Sequence, residues 1–142
     1  MDMNFYAPVR IITGKGCVAK NSALFADFGK KAIIVTGKSS AKKCGALDDV
    51  VCALKNAGVE YTVFDGIEQN PSYASCLKAA EQAKDYGARF VIGIGGGSPL
   101  DAAKAVAVLA ACGDTSVKAL YSMEWDALPL PVVAVGTTAG TG

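Results

Sequence analysis

"FVIGIGGGSPLDAAKAVAVLA", residues 90–110, changes character at its centre. It opens as an apolar run with the composition of a strand and ends as an alanine-rich run with the composition of a helix. Between the two stand Gly95, Gly96 and Gly97, followed by Ser98 and Pro99. The stretch predicts a strand over 89–95, a glycine turn, and a helix over 98–112. Ser98 reads as the helix N-cap, Pro99 as its first helical residue and Asp101 as the partner in a capping-box-like pair.

The same alternation extends in both directions. "KAIIVTG" (31–37) is β-branched and stops at a glycine, so it reads as a buried strand. "GALDDVVCALKNAG" (45–58) places Leu47, Val50, Val51 and Leu54 at helical spacing and ends on Gly58. "EYTVFD" (60–65) is the next strand. "NPSYASCLKAAEQAKDYG" (70–87) is the next helix, with Asn70 as N-cap, Pro71 at its first position and Gly87 after its end. "LPVVAVG" (130–136) is the fourth strand. Near the N-terminus, residues 9–13 read as an extra edge strand and about 17–28 as a short helix. Strands alternating with helices of this length imply an α/β fold. Its sheet is doubly wound and mostly parallel, Rossmann-like, with helices on both faces. Strands apolar on both sides suit such a sheet. The chain reads as a single domain, 1–142, and its last residues, "GTTAGTG" (136–142), as a loop cut off before its helix.

Composition narrows the partners. Of 142 residues 51% are hydrophobic and 19% charged, enough for a core. The net charge is +1 and the 14 basic residues are scattered, which argues against nucleic acid and anionic membranes. No apolar run approaches the roughly 20 residues of a membrane span, and "MDMNFYAPVR" is not a secretory leader, so a cytoplasmic location is expected. The five cysteines, Cys17, Cys44, Cys52, Cys76 and Cys112, include no C-x-x-C pair and read as small buried hydrophobes. The chain has no histidine, which removes the usual partner of a catalytic thiol and weakens any protein-only zinc site.

Four loops fall at the carboxyl ends of the strands, where open α/β sheets bind ligands: 36–40, 65–72, 95–99 and 136–142. The glycine loop Gly95–Gly96–Gly97 carries bare amides into a helix N-terminus, which favours a phosphate, and Ser98 adds a hydroxyl. It does not match the common dinucleotide fingerprint, because Gly93 and Gly95 would put Ser98 where the third glycine belongs. Nor is "TGKSS" a P-loop, since Ala32 stands where the first glycine should be. The residues alone therefore imply a doubly wound domain that binds a phosphorylated small molecule.

"GIGGGSPLDAAKAVAVLA" and "PVVAVGTTAGTG", with "IIVTGKSSAKKCG" and the "NP" of "EQNPS", resemble the N-terminal domain of the iron-containing (group III) alcohol dehydrogenases. The resemblance covers essentially the whole chain. It implies a cofactor-binding domain for NAD or NADP. A helical second domain, absent here, would hold iron or another divalent metal on one aspartate and three histidines. By resemblance, Gly96, Gly97 and Ser98 hold the pyrophosphate. Asn70 lies near the adenosine side, or serves as a helix cap, and Thr137, Thr138 and Thr141 line the nicotinamide half. Asp101 either faces the nicotinamide and substrate region or caps its helix. Many NAD-specific members carry an aspartate just after the first main strand. Here that place is Gly37, followed by Lys38, Ser39 and Ser40, and a missing carboxylate beside a cation and two hydroxyls suits the 2′-phosphate of NADP. The intact enzyme implied is an oxidoreductase moving a hydride between NAD(P) and a primary alcohol or its aldehyde, with this fragment inactive alone. The rival readings are a stand-alone nucleotide-binding regulatory module and a domain of a glycerol dehydrogenase-like or dehydroquinate synthase-like enzyme. The edge strand at 9–13 would pair with another subunit in a homo-oligomer or be covered within the chain.

Overall fold

Uninterrupted β-branched runs tolerate burial on both faces, and they form the centre of the sheet. The computed structural model describes residues 3, 4 and 6–138. Strands β1 (Lys31–Thr36), β2 (Glu60–Phe64), β3 (Phe90–Gly95) and β4 (Val132–Gly136) make one parallel sheet in the order β2-β1-β3-β4. Ile33, Ile34 and Val35 of β1 and Val91, Ile92 and Ile94 of β3 are 0% exposed. Burying each such side chain stabilises the fold by about 1.5–3 kcal/mol relative to leaving it in water. The outer strands are less covered. In β4, Val133 and Val135 are half-buried and alternate with exposed positions.

The helices among the described residues are α1 (Cys17–Lys20), a 3-10 turn (Ser22–Asp27), α2 (Ser40–Lys43), α3 (Ala46–Ala57), α4 (Tyr73–Tyr86), α5 (Gly97–Ala111) and α6 (Val117–Ser122). Helix α3 and Phe25 of the 3-10 turn close one face, where Leu47, Val50 and Leu54 meet Ile34, Phe90 and Ile92. Helices α4 and α5 close the other, where Cys76, Ala79, Ala103 and Val106 meet Ile33, Val35 and Val91. Helices on both faces follow from right-handed crossovers: the chain moves outward from β1 to β2, then back past β1 to β3, so its winding direction reverses. That reversal opens a crevice between β1 and β3 at the carboxyl edge of the sheet. Helix α5 lies close to β3 because both surfaces are small. A Cβ built on Gly93 would stand 2.8 Å from the Cβ of Ala103.

Several expectations change. Residues 9–13 are not a strand. The alternation of "VRIIT" has strand propensity, but no described strand pairs with it. Val9 and Ile11 are 70% and 80% exposed, and among the described residues the Val9 N–H bonds only to Ala7 O, at 2.7 Å. The expected helix over about 17–28 divides into α1 and the 3-10 turn at Asn21. Helix α4 starts two residues later than Asn70 would place it. Its N-cap is Ser72, whose Oγ accepts from Ser75 N, while Asn70 is held out of the helical region by the proline that follows it. Helix α5 starts earlier, with Gly96 as N-cap and no side-chain cap, so Ser98 is not the cap and Asp101 completes no capping box. Pro99 then sits in the first turn, where its missing N–H costs nothing. Of the five cysteines only Cys76 and Cys112 are buried, while Cys44, just past the end of α2, and Cys52, on α3, are exposed. Among the described residues no helix is long and apolar enough to cross a membrane.

Candidate functional site at the carboxyl edge of the sheet

All four strands run parallel, so the loops that follow them share one edge, and polar bonds tie each loop to the next. Thr36, the last residue of β1, is wholly buried and its Oγ1 donates to Ile94 O at 2.9 Å. The loop after β2 is pinned to β1 by the Ile67 N–H, which donates to Thr36 O at 3.3 Å. A salt bridge of 2.9 Å from Lys42 Nζ to Asp65 Oδ2 ties α2 to the start of the loop after β2. The Lys42 ammonium, by hydrogen bond and then by charge, holds the Asp65 carboxyl below the usual carboxylate range. The Asn70 N–H donates to Ser98 Oγ at 3.3 Å and connects the loop after β2 to the head of α5. The Thr137 N–H donates to Gly95 O at 3.0 Å and connects the loop after β4 to the glycine turn.

The three glycines of the turn differ. Gly95 has φ +147, and a Cβ there would stand 2.7 Å from Pro99 Cγ, so the chain's own packing demands glycine. Gly96 is extended, with φ −83, and a Cβ would meet Thr138 Oγ1 at 3.5 Å, an ordinary contact. Gly97 opens α5, and a Cβ there would meet nothing within 4 Å. Neither Gly96 nor Gly97 is required by the fold. Their bare amides sit at the start of a 15-residue helix, where donors unpaired within the helix and the helix dipole favour an anion.

The other candidate residues are distributed around this turn. Gly37 directly follows β1, and a Cβ there would touch Ile67 O at 3.3 Å. Lys38, Ser39 and Ser40 are exposed at the entry to α2, and their side chains make no hydrogen bond among the described residues. Thr137 is half-buried and Thr138 exposed beside Gly96. Thr141 lies outside the described residues. Asp101 lies in α5, four residues after Gly97. Its Oδ1 pairs with Lys104 Nζ at 3.0 Å, and it lines a recess of about 170 Å³ between α4, α5 and α6. A larger groove of about 740 Å³ lies elsewhere, between residues 8–12, α1, the 3-10 turn and β4, and is lined mainly by apolar side chains.

Three residues of this edge escape a reading of the sequence. Lys42 and Asp65 are 23 residues apart, and nothing local announces their pairing. Glu68 accepts from Ser72 N at 3.0 Å and from Ser75 Oγ at 2.9 Å, which lowers its pKa to about 2. The only signal for Glu68 is its place four residues before the true cap.

Comparison with known proteins agrees with this geometry. A family model described as iron-containing alcohol dehydrogenase matches residues 8–142. The long-chain primary alcohol dehydrogenase of Thermoanaerobacter ethanolicus is 42% identical over 113 residues, covering 78% of this chain and 28% of that one. The NADPH-dependent butanol dehydrogenase of Clostridium saccharobutylicum is 40% identical over 104 residues, 73% of this chain and 26% of that one. A crystal structure of an iron-containing alcohol dehydrogenase from Thermotoga maritima superposes with a TM-score of 0.91 at 45% identity, over 97% of this chain and 38% of that one. The chain thus spans roughly a quarter to two fifths of the length of these relatives. With a match that runs nearly end to end and a shared fold at this identity, the chain belongs to the iron-containing alcohol dehydrogenase family.

Proposed function

We propose that residues 1–142 are the dinucleotide-binding domain of a metal-dependent alcohol dehydrogenase that moves a hydride between NADP and a primary alcohol or its aldehyde. One observation carries the reading: Gly96 and Gly97 lack side chains that the fold would accommodate, at the head of the helix best placed to receive a phosphate. The residues present fit a nicotinamide dinucleotide. The amides of Gly96 and Gly97 and the Ser98 hydroxyl would hold its pyrophosphate, and Thr137 and Thr138 its nicotinamide half. When bound, the cofactor supplies the hydride acceptor or donor. The chain's own part is to bind, orient and leave one ring face open.

Iron does not fit the residues present. The chain has no histidine, and among the described residues no group of three or more His, Cys, Asp or Glu side chains is arranged to hold a metal. No step is therefore assigned to a metal here, and residues 1–142 alone are expected to be inactive. Metal-stimulated oxidation of a primary alcohol by residues 1–142 would overturn that.

A preference for NADP over NAD is supported by the β1 loop. Gly37 presents no carboxylate, Lys38, Ser39 and Ser40 are exposed, and the neighbouring Asp65 is engaged by Lys42. Relatives bear both kinds of name, such as the NADPH-dependent enzyme above and a probable NADH-dependent butanol dehydrogenase of Bacillus subtilis, 32% identical over 106 residues. Calorimetry with each cofactor is the test. NADP should bind at least about tenfold more tightly, and Ser39→Asp should erase the difference by placing like charge against the 2′-phosphate. Equal affinities in the wild type would refute the preference.

A further inference from the structure

Asn70 is one of two non-glycine residues with positive φ among those described, at +55. Asparagine tolerates this left-handed conformation better than most residues, and glycine tolerates it freely. Both flanks of the turn are anchored. Before it, Ile67 is buried and bonded to Thr36 O. After it, Pro71 bars the right-handed region, and Ser72 is tied through its N–H to Glu68 Oε1 at 3.0 Å, which Ser75 Oγ also reaches at 2.9 Å. The Asn70 carboxamide makes no hydrogen bond among the described residues. Its backbone N–H donates to Ser98 Oγ at 3.3 Å across 28 residues of sequence.

A serine hydroxyl has one proton and two acceptor sites. With the Asn70 N–H occupying one acceptor site, the Ser98 proton is left to donate, and among the described residues it has no other partner. Ser98 is the second residue of α5, next to the open amide of Gly97. We propose that Asn70 is a positioning residue that works through its backbone: the left-handed turn aims its N–H at Ser98 Oγ, and this sets the serine hydroxyl as a donor to the anion at the glycine turn. On this account asparagine stands at position 70 for the φ it tolerates, not for a contact made by its carboxamide. The inference rests on the dinucleotide reading above and goes further by assigning which hydroxyl is oriented, and by what.

The test is a substitution series in the intact protein, with dissociation constants for NADP and for inorganic pyrophosphate measured by calorimetry. Asn70→Ala should weaken both by about three- to tenfold, the worth of one modest hydrogen bond. Asn70→Gly should stay within about twofold of wild type, because glycine keeps the left-handed turn while lacking the carboxamide. In a Ser98→Ala background Asn70→Ala should cost nothing further, as expected if the two act as one unit. In turnover, Asn70→Ala should raise the KM for the dinucleotide and leave kcat unchanged. If Asn70→Gly falls as far as Asn70→Ala, the carboxamide makes the contact and the proposal is wrong. If the Ser98→Ala background leaves the Asn70→Ala loss intact, the coupling is wrong. A wild type that binds neither ligand overturns the dinucleotide reading itself, a result distinct from any pattern among the variants.

Discussion

Gly97→Ala should make the protein more stable and a worse binder at once. A Cβ at Gly97 meets nothing within 4 Å, and the residue already has helical backbone as the first of α5. Replacing glycine by alanine at a compatible position restricts the unfolded chain and stabilises by about 0.4–1 kcal/mol. For a domain of this size that is roughly 1–4 °C in Tm. The same methyl group would occupy space that a phosphate needs to reach the amides. Displacing the anion from one or two charge-assisted bonds costs about 1.5–3 kcal/mol, roughly a 10- to 150-fold loss of affinity. Gly95→Ala is the control. Its φ of +147 and a Cβ 2.7 Å from Pro99 Cγ predict a loss of stability of about 2–5 kcal/mol, combining backbone strain with overpacking. Thermal melts with and without NADP read both quantities. Wild type should melt higher when NADP is added, and Gly97→Ala should melt higher without it and respond weakly to it. A Gly97→Ala protein that keeps wild-type affinity would refute the claim that an anion lies on this turn.

Three further outcomes test other parts of the argument. Gly93→Ala should destabilise by about 1–3 kcal/mol, because its Cβ would stand 2.8 Å from that of Ala103, and Ala103→Gly in the same chain should recover part of the loss; a neutral Gly93→Ala in urea denaturation would mean the β3–α5 contact is looser than described. The Glu68 carboxyl is lowered from its ordinary 4.5 to about 2, first by hydrogen bonding from Ser72. A depressed carboxylate stabilises the fold above its unfolded value and loses that contribution as pH falls through its folded value. Wild type should therefore lose more stability than Glu68→Gln as pH drops from about 4.5 to about 2, and parallel acid-denaturation curves would contradict this. Lys42→Met should return the Asp65 carboxyl towards its ordinary range in an NMR titration, since Lys42 supplies both leading causes of its depression, and an unmoved titration would show that the bridge is not populated in solution.

What a sequence discloses depends on whether the deciding interaction is local. The strands β1 and β3 and the helices α3, α4 and α5 were legible because each depends on a run of side chains and a glycine or proline boundary within it. The segment 9–13 has the same strand-like alternation, yet a strand exists only by pairing, and no partner faces it among the described residues. Helices α2 and α6, of 4 and 6 residues, are too short for a periodic pattern to rise above composition. At both longer helix starts the expected caps, Asn70 and Ser98, have the right chemistry but the wrong φ and ψ. Side-chain type alone cannot tell a cap from a neighbour that bonds elsewhere. The ties from Lys42 to Asp65 and from Asn70 to Ser98 span 23 and 28 residues, and only the folded sheet brings their ends together.

The glycine run shows why geometry is needed to turn a motif into a function. Read as letters, Gly95, Gly96 and Gly97 are equivalent, and a tight strand-to-helix turn would explain any one of them. In the fold, the turn explains only Gly95, where φ and Pro99 exclude a side chain. At Gly96 and Gly97 a side chain would fit, and at the head of a helix alanine would be the better former. A residue that gives up stability without a structural reason points to a requirement outside the chain. The surroundings indicate its nature: unpaired amides, a helix dipole, a serine hydroxyl with an uncommitted proton and two threonines, with no carboxylate hydrogen-bonded to any of them among the described residues. Such a site favours an anion over a metal or an apolar ligand. On the proposed reading, a crevice where the sheet reverses its winding would place there the linking phosphates of a molecule extending to both sides of the turn.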